Sequence, residues 1–273
     1  PDYADAKDNF LRLQAQIHDT IFINNIFLNQ ATEGSKSDTQ RTPKFHIIKA
    51  ISSFLSADRS EVQRHIQNFK ICDLDLVANL SPKNKLFCLS YSNYLSALLN
   101  EPSDGAVDFN THNVLYHIGE SHCLSYAHRN IRMNGKIFRI APMITFGGKA
   151  FHFSKRKDNA FKAITKINLA SIPKGSEVLI SFGEIDCRPN EGFILASTKL
   201  HQPMENLISG TVSGYLKWFA KQNRTLNHRI HFLNVPAPKY DKRYSPEKNG
   251  DVADTVALFN SQIKKQIAHY KFG

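Results

Sequence analysis

The stretch Val114-Leu115-Tyr116-His117-Ile118-Gly119-Glu120-Ser121-His122 decides how this chain is read. Five residues rich in β-branched and aromatic side chains predict a short buried strand. A Gly-acid-Ser turn then leads into a helical stretch over 122–133. Three further segments repeat the pattern: Ile137–Ile140, Val178–Phe182 and Ile230–Val235, with helical stretches over 158–168, 203–222 and 252–270. Strands alternating with helices build right-handed crossovers and a parallel sheet covered by helices on both faces. Ligands bind such sheets at the carboxyl ends of the strands, so the residues following each strand carry the functional reading.

Upstream of Val114 the pattern changes. Apolar residues recur every three or four positions over 10–27, then at Ile47, Ile48, Ile51, Phe54 and Leu55, and again over 61–71 and 83–99. This spacing predicts amphipathic helices. The polar segment 31–40 reads as a loop. Ser81-Pro82 and Ser60-Glu61 fit helix starts. The expectation is an all-α helical-hairpin, repeat-like domain of four to six helices over 1–110, followed by an α/β domain over 111–273.

Composition bounds the function. Of 273 residues 41% are hydrophobic and 22% charged, an ordinary globular balance that excludes a disordered or collagen-like chain. No run approaches the roughly 18 apolar residues of a membrane span. The first residues, Pro1 to Ala6, lack an initiator Met and a secretory pattern, which reads as a piece of a longer protein. Lys and Arg number 35 against 24 acids, a net charge of +11. That surplus suits an anionic partner: an acidic polysaccharide, or a phosphorylated small molecule such as a nucleotide or coenzyme A. A nucleic-acid partner ranks below these, because no recognisable binding module accompanies the charge. Cys72, Cys88, Cys123 and Cys187 show no paired or zinc-ligand spacing, so they read as buried reduced thiols in a cytoplasmic protein, with no metal centre.

Three strand ends carry chemistry-bearing residues. After the first, Glu120-Ser121-His122 puts a hydroxyl at a helix start, where free N–H groups can hold an oxyanion; an N-cap role for Ser121 is the plain alternative. After the second, Gly147 and Gly148 permit positive φ and close approach to a ligand. After the third, Glu184, Asp186 and Arg188 stand within five residues, and charges at that depth must pair with one another or with a substrate. Beyond the glycine turn, Lys149, Lys155, Arg156, Lys157, Lys162 and Lys166 alternate with Phe146, Phe151, Phe153 and Phe161, a strip suited to an anionic glycan or the phosphates of an acyl-coenzyme A.

In order and spacing these blocks resemble the SGNH (GDSL-type) hydrolase and acyltransferase superfamily over about residues 113–270. Gly119-Glu120-Ser121-His122 looks like its first block with Glu for Asp. Gly147-Gly148 fits the second, and Gly183-Glu184-Ile185-Asp186 falls at the third. Together with Asn234-Val235-Pro236-Ala237-Pro238, the motifs are similar to bacterial SGNH-like domains found behind helical repeats or in polysaccharide assembly. The resemblance implies a flavodoxin-like three-layer α/β domain. It also implies a Ser121 nucleophile whose acyl group passes to water or to a sugar hydroxyl, with N–H groups of Ser121 and of Gly147 or Gly148 as oxyanion donors.

Ile185 replaces the third-block Asn, and no Asp-x-x-His occurs, so the final strand with its base and acid is expected to be missing from this chain. Within it, His152, His201 and His122 are the candidates for a base. The working assignment takes Ser121, His152 and Asp186 as catalytic, with Gly147, Gly148, Glu184, Arg188 and His122 binding substrate. It implies O-acetyl transfer or ester hydrolysis on a bacterial polysaccharide or capsule precursor, with no tightly bound cofactor and an acyl-coenzyme A as the donor class. The alternatives are a non-catalytic carbohydrate- or nucleotide-binding module of an assembly protein, and a sugar-phosphate transferase domain.

Overall fold

In the computed structural model the described residues are 42–72, 77–101 and 113–272, and the chain divides into two compact units, Pro1–Thr111 and His112–Gly273. The amphipathic run over 10–27 and the polar loop over 31–40 lie outside the described residues.

Three helices are described in the first unit: α1 (Pro43–Leu55), α2 (Arg59–Lys70) and α3 (Pro82–Asn100). Each begins on a side-chain cap. Thr42 accepts the Phe45 N–H at 3.3 Å, Asp58 the Glu61 N–H at 3.1 Å, and Ser81 the Asn84 N–H at 3.4 Å, which satisfies amides that helical bonding leaves open. Asp58, not Ser60, therefore starts α2; the longer-reaching acid stands at the cap position, and Ser60 bonds to it. Ile47, Ala50, Ile51, Phe54, Val62, Ile66, Phe69 and Leu95 are buried, on the three- and four-residue spacing read from the sequence.

The second unit is α/β, a mostly parallel five-stranded sheet with helices around it. The strands are β1 (Asn113–Gly119), β2 (Asn130–Met133), β3 (Lys136–Ile144), β4 (Glu177–Ser181) and β5 (Arg229–Phe232), in the spatial order β2-β3-β1-β4-β5. The helices are α4 (Ala150–Ser154), α5 (Ala160–Ser171), α6 (Phe193–Leu200), α7 (Met204–Asn223) and α8 (Pro246–Ile267). The helix expected over 122–133 is replaced by a 3-10 turn (Ser121–Tyr126) and β2, which runs antiparallel to β3. The reason is legible in hindsight: Asn134 and Gly135 have φ of 51° and 75°, the pair of positive angles that closes a tight hairpin.

That substitution changes the layering. Right-handed crossovers send the β3-to-β4 and β4-to-β5 connections across one face of the sheet and the β1-to-β3 connection across the other. Residues of α4 to α8, among them Phe153, Leu169, Phe193, Phe219 and Phe259, cluster with Ile118, Val178, Ile180 and Ile230. On the opposite pleat Leu115, Phe138 and Ile140 pack with Ile131, Met133 and Leu179, all strand residues. Within this unit the expected three layers are thus two with a hairpin, because the connection for the second face holds no α-helix.

Register sets the stage for function. Gly119 stands opposite Ile144 on β3 and Ser181 on β4. The three turns singled out in the sequence therefore leave the sheet at one level. The chain departs from β1 toward one edge and from β4 toward the other, and between two such strands lies the crevice of a doubly wound sheet.

Candidate functional site

The corner after β1 is built around one carboxylate. A Cβ on Gly119 would overlap the Ser181 side chain, so glycine lets β4 close on β1 here. Glu120, 2% exposed, follows. Its Oε2 accepts the Ser121 hydroxyl at 3.0 Å and the His122 N–H at 3.0 Å, and its Oε1 lies 2.8 Å from His122 Nδ1. Burial alone would raise this carboxyl; the His122 ring and amide and the Ser121 hydroxyl more than offset that and hold it below its ordinary value. The same bond raises His122, burial opposing, with Glu184 Oε2 3.9 Å away adding to the rise. Ser121 and His122 thus share one buried acceptor.

After β4 the chain turns at Gly183, whose φ of 133° and closeness to the Phe259 ring exclude a side chain. Arg188 grips Glu184, its Nε 3.0 Å from both oxygens, and reaches Glu191 at 2.9 Å; Lys149 lies 3.5 Å from Glu191. His122, Glu184, Arg188, Glu191 and Lys149 therefore form a chain of alternating charge. Asp186 stands apart from it. Its two oxygens accept the Ala150 and Phe151 N–H groups at 2.7 and 3.0 Å, capping α4. Burial pushes its carboxyl up to about 7, against the pull of those amides.

This placement gives several of the expected site residues backbone partners. Asp186, assigned as catalytic, caps a helix with both oxygens on backbone amides. His152, assigned as base, accepts the Lys149 N–H at 3.0 Å on Nδ1, and its ring stacks on Phe161 at 3.8 Å; both features fix α4. Gly148, an assigned oxyanion donor, spends its N–H on Thr145 O at 3.0 Å, and it is glycine because the Phe182 ring leaves no room for a Cβ. Gly147 does adopt positive φ, 65°. His201 is the exposed C-cap of α6. In the basic strip Lys162 turns inward, its ammonium on the carbonyls of Lys155 and Lys157, while Lys155 lies 4.0 Å over the Phe151 ring. All four cysteines are buried.

A cleft of about 190 Å³ opens at the carboxyl ends of β1, β4 and β5, lined by Glu120, His122, Ser125, Tyr126, Ser181, Phe182, Glu184 and Leu233 to Pro236. Ser121, half-buried, has both sequence neighbours in this lining. Asn260 of α8 fixes the β5 loop, accepting the Val235 N–H at 2.8 Å and donating to Val235 O at 2.9 Å. Glu120, His122 and Glu184 bring three ligand atoms within 4.8 Å of one another, a set that could take a small cation, although His122 and Arg188 already neutralise the two carboxylates. Sequence reading missed Ser181, whose Oγ lies 2.8 Å from Nε2 of the fully buried His117. The available signal was a histidine inside an otherwise apolar strand.

Among the described residues no helix is long and apolar enough to cross a membrane. Neither protein-family models, nor curated proteins, nor solved structures yield a significant match to this chain.

Proposed function

We propose that this chain performs serine-dependent acyl-ester chemistry, O-acetyl transfer or ester hydrolysis, on an anionic bacterial polysaccharide or its precursor, in the cytoplasm. The observation that carries this reading is the Ser121–Glu120–His122 constellation: a hydroxyl and an imidazole on one buried carboxylate, beside a cleft at the carboxyl edge of the sheet. The order of the parallel strands, second-first-third-fourth in the chain, is that of flavodoxin-like sheets and supports the SGNH resemblance.

The chemistry follows from the bonds. Ser121 Oγ attacks the acyl carbon as Glu120 takes its proton. His122, held as an imidazolium by Glu120, protonates the departing alkoxide through Nε2. At this stage Glu120 carries the Ser121 proton and His122 is neutral, with its remaining proton on Nδ1. Water or a sugar hydroxyl then attacks the acyl-serine and gives its proton to His122 Nε2, while Glu120 returns its proton to the departing Ser121 Oγ, which releases the acyl group and restores the ion pair. The basic strip holds the negative charge of the polymer or of an acyl-coenzyme A donor.

A fluorophosphonate tests the assignment. The folded wild-type protein is expected to be labelled at Ser121, and Ser121→Ala to be inert. Wild-type protein that stays unlabelled and leaves aryl acetates intact would move the conclusion to the second reading, a carbohydrate- or nucleotide-binding module. That reading is favoured by one observation: His152 and Asp186 are both committed to capping α4.

A further inference from the structure

We propose that Ser181 is a dedicated hydrogen-bond donor of the cleft, its polarity set by His117, and that it receives a proton-free ligand oxygen: a carbonyl, carboxylate or phosphoryl oxygen.

The argument starts from His117. The ring is fully buried, its Nε2 bonded to Ser181 Oγ at 2.8 Å, while Nδ1 is buried without a hydrogen-bond partner among the described residues. Burial pushes its basicity down to about 4, with Glu120 opposing, so at neutral pH the ring carries one proton. Two tautomers are available. With the proton on Nδ1, a buried N–H would have no acceptor; with it on Nε2, only a lone pair is orphaned. Buried N–H groups without acceptors are the rarer condition in folded proteins. Nε2–H therefore donates to Ser181 Oγ, and the serine hydrogen must be spent elsewhere.

Geometry then aims it. Ser181 ends β4 directly beside Gly119, and its side chain lies over the position where a Gly119 Cβ would stand. It lines the same cleft as Glu120, His122 and Glu184. Ligand hydroxyls can adapt to either polarity, whereas an oxygen without a proton matches a fixed donor alone. Where the acyl reading of Ser121 holds, the oxygen served is the oxyanion of the tetrahedral intermediate. Ser181 then fills the post that Gly148 cannot, its N–H being bonded to Thr145 O. Ser181 would be a catalytic residue in that event, and His117 a positioning residue.

Two measurements separate this proposal from the reading of Ser121. Nitrogen-15 spectra of histidine-labelled protein at pH 7 are expected to show His117 as the Nε2–H tautomer; the Nδ1–H tautomer or an imidazolium overturns the proposal. Titration with sodium acetate is expected to shift the His117 Nε2 signal in the wild type and leave it unmoved in Ser181→Ala; equal shifts in both, or none in either, also overturn it. Both results stand even if Ser121→Ala shows no role for that serine. Where phenyl acetate is turned over, Ser181→Ala is expected to lower kcat about 10²-fold at nearly constant KM, with partial recovery in Ser181→Thr, and unchanged kcat overturns the catalytic part.

Discussion

Glu120 and Asp186 are equally deep, each 2% exposed, each at the turn that follows a central strand, and they do opposite work. Glu120 receives two side chains, Ser121 and His122, and is held in its charged form. Asp186 receives two backbone amides of α4 and is pushed toward its neutral form. Depth is the same; the partners differ. A carboxylate whose partners include an imidazole keeps its charge and also holds the Ser121 hydroxyl, whereas one whose partners are amides anchors a helix. The partners, not the depth, therefore set the charge state of a buried acid at a strand end.

The largest effect expected from that contrast is on turnover. His122→Ala is expected to lower acyl turnover by about 10²- to 10⁴-fold. Its cost in stability is expected to stay near 1 kcal/mol, because the Ser121 hydroxyl and the residue-122 amide still satisfy Glu120. Ester hydrolysis and urea unfolding of the same variant check both halves, and wild-type turnover would erase the distinction drawn between the two corners.

Asp186→Ala reverses the balance. It strips the acceptor from two α4 amides, one of them buried, and the cap from α4, an expected loss of about 2–4 kcal/mol read as a lower denaturation midpoint. Turnover per folded molecule should change far less than in His122→Ala. A variant of wild-type stability would show that the cap is dispensable.

The smallest effect is a difference in pH dependence. Asp186 binds its proton more tightly folded, at about 7, than its ordinary value of 3.8, so its contribution to stability declines as pH rises from 3.8 to about 7 and is flat above. Glu120 contributes the other way: its share is present above its ordinary 4.5 and is lost as pH falls below that. The raised His122 contributes fully below its ordinary 6.5 and loses that share as pH rises beyond it. Urea midpoints from pH 4.5 to 8 are expected to show a shallower decline in Asp186→Asn than in the wild type. Parallel profiles would contradict the charge state assigned to Asp186.

Much of this corner was legible in the chain because strand ends announce themselves. Ile118-Gly119 and Phe182-Gly183 mark where apolar runs meet turn residues, and ordinary crossover rules bring those turns to one edge of a sheet. The helix expected over 122–133 does not form because Asn134-Gly135 closes a hairpin that pairs residues 130–133 with β3. The partners of His152 and Asp186 were not legible, because a motif states which residues share a turn and not whether an oxygen will meet an amide or a side chain.

Periodicity, punctuation and composition were enough to establish an alternating α/β unit over the second part of the chain, helical stretches in the first, and the turns that follow the strands, because these are local properties of spacing and residue type. Which of the two buried carboxylates faces a histidine, which glycine spends its amide, and that Ser181 and His117 meet across β1 and β4 were settled by packing alone. Partners separated by 36 or 64 positions, as Ala150 and Asp186 or His117 and Ser181 are, are chosen by strand register and helix docking, and no local pattern encodes either.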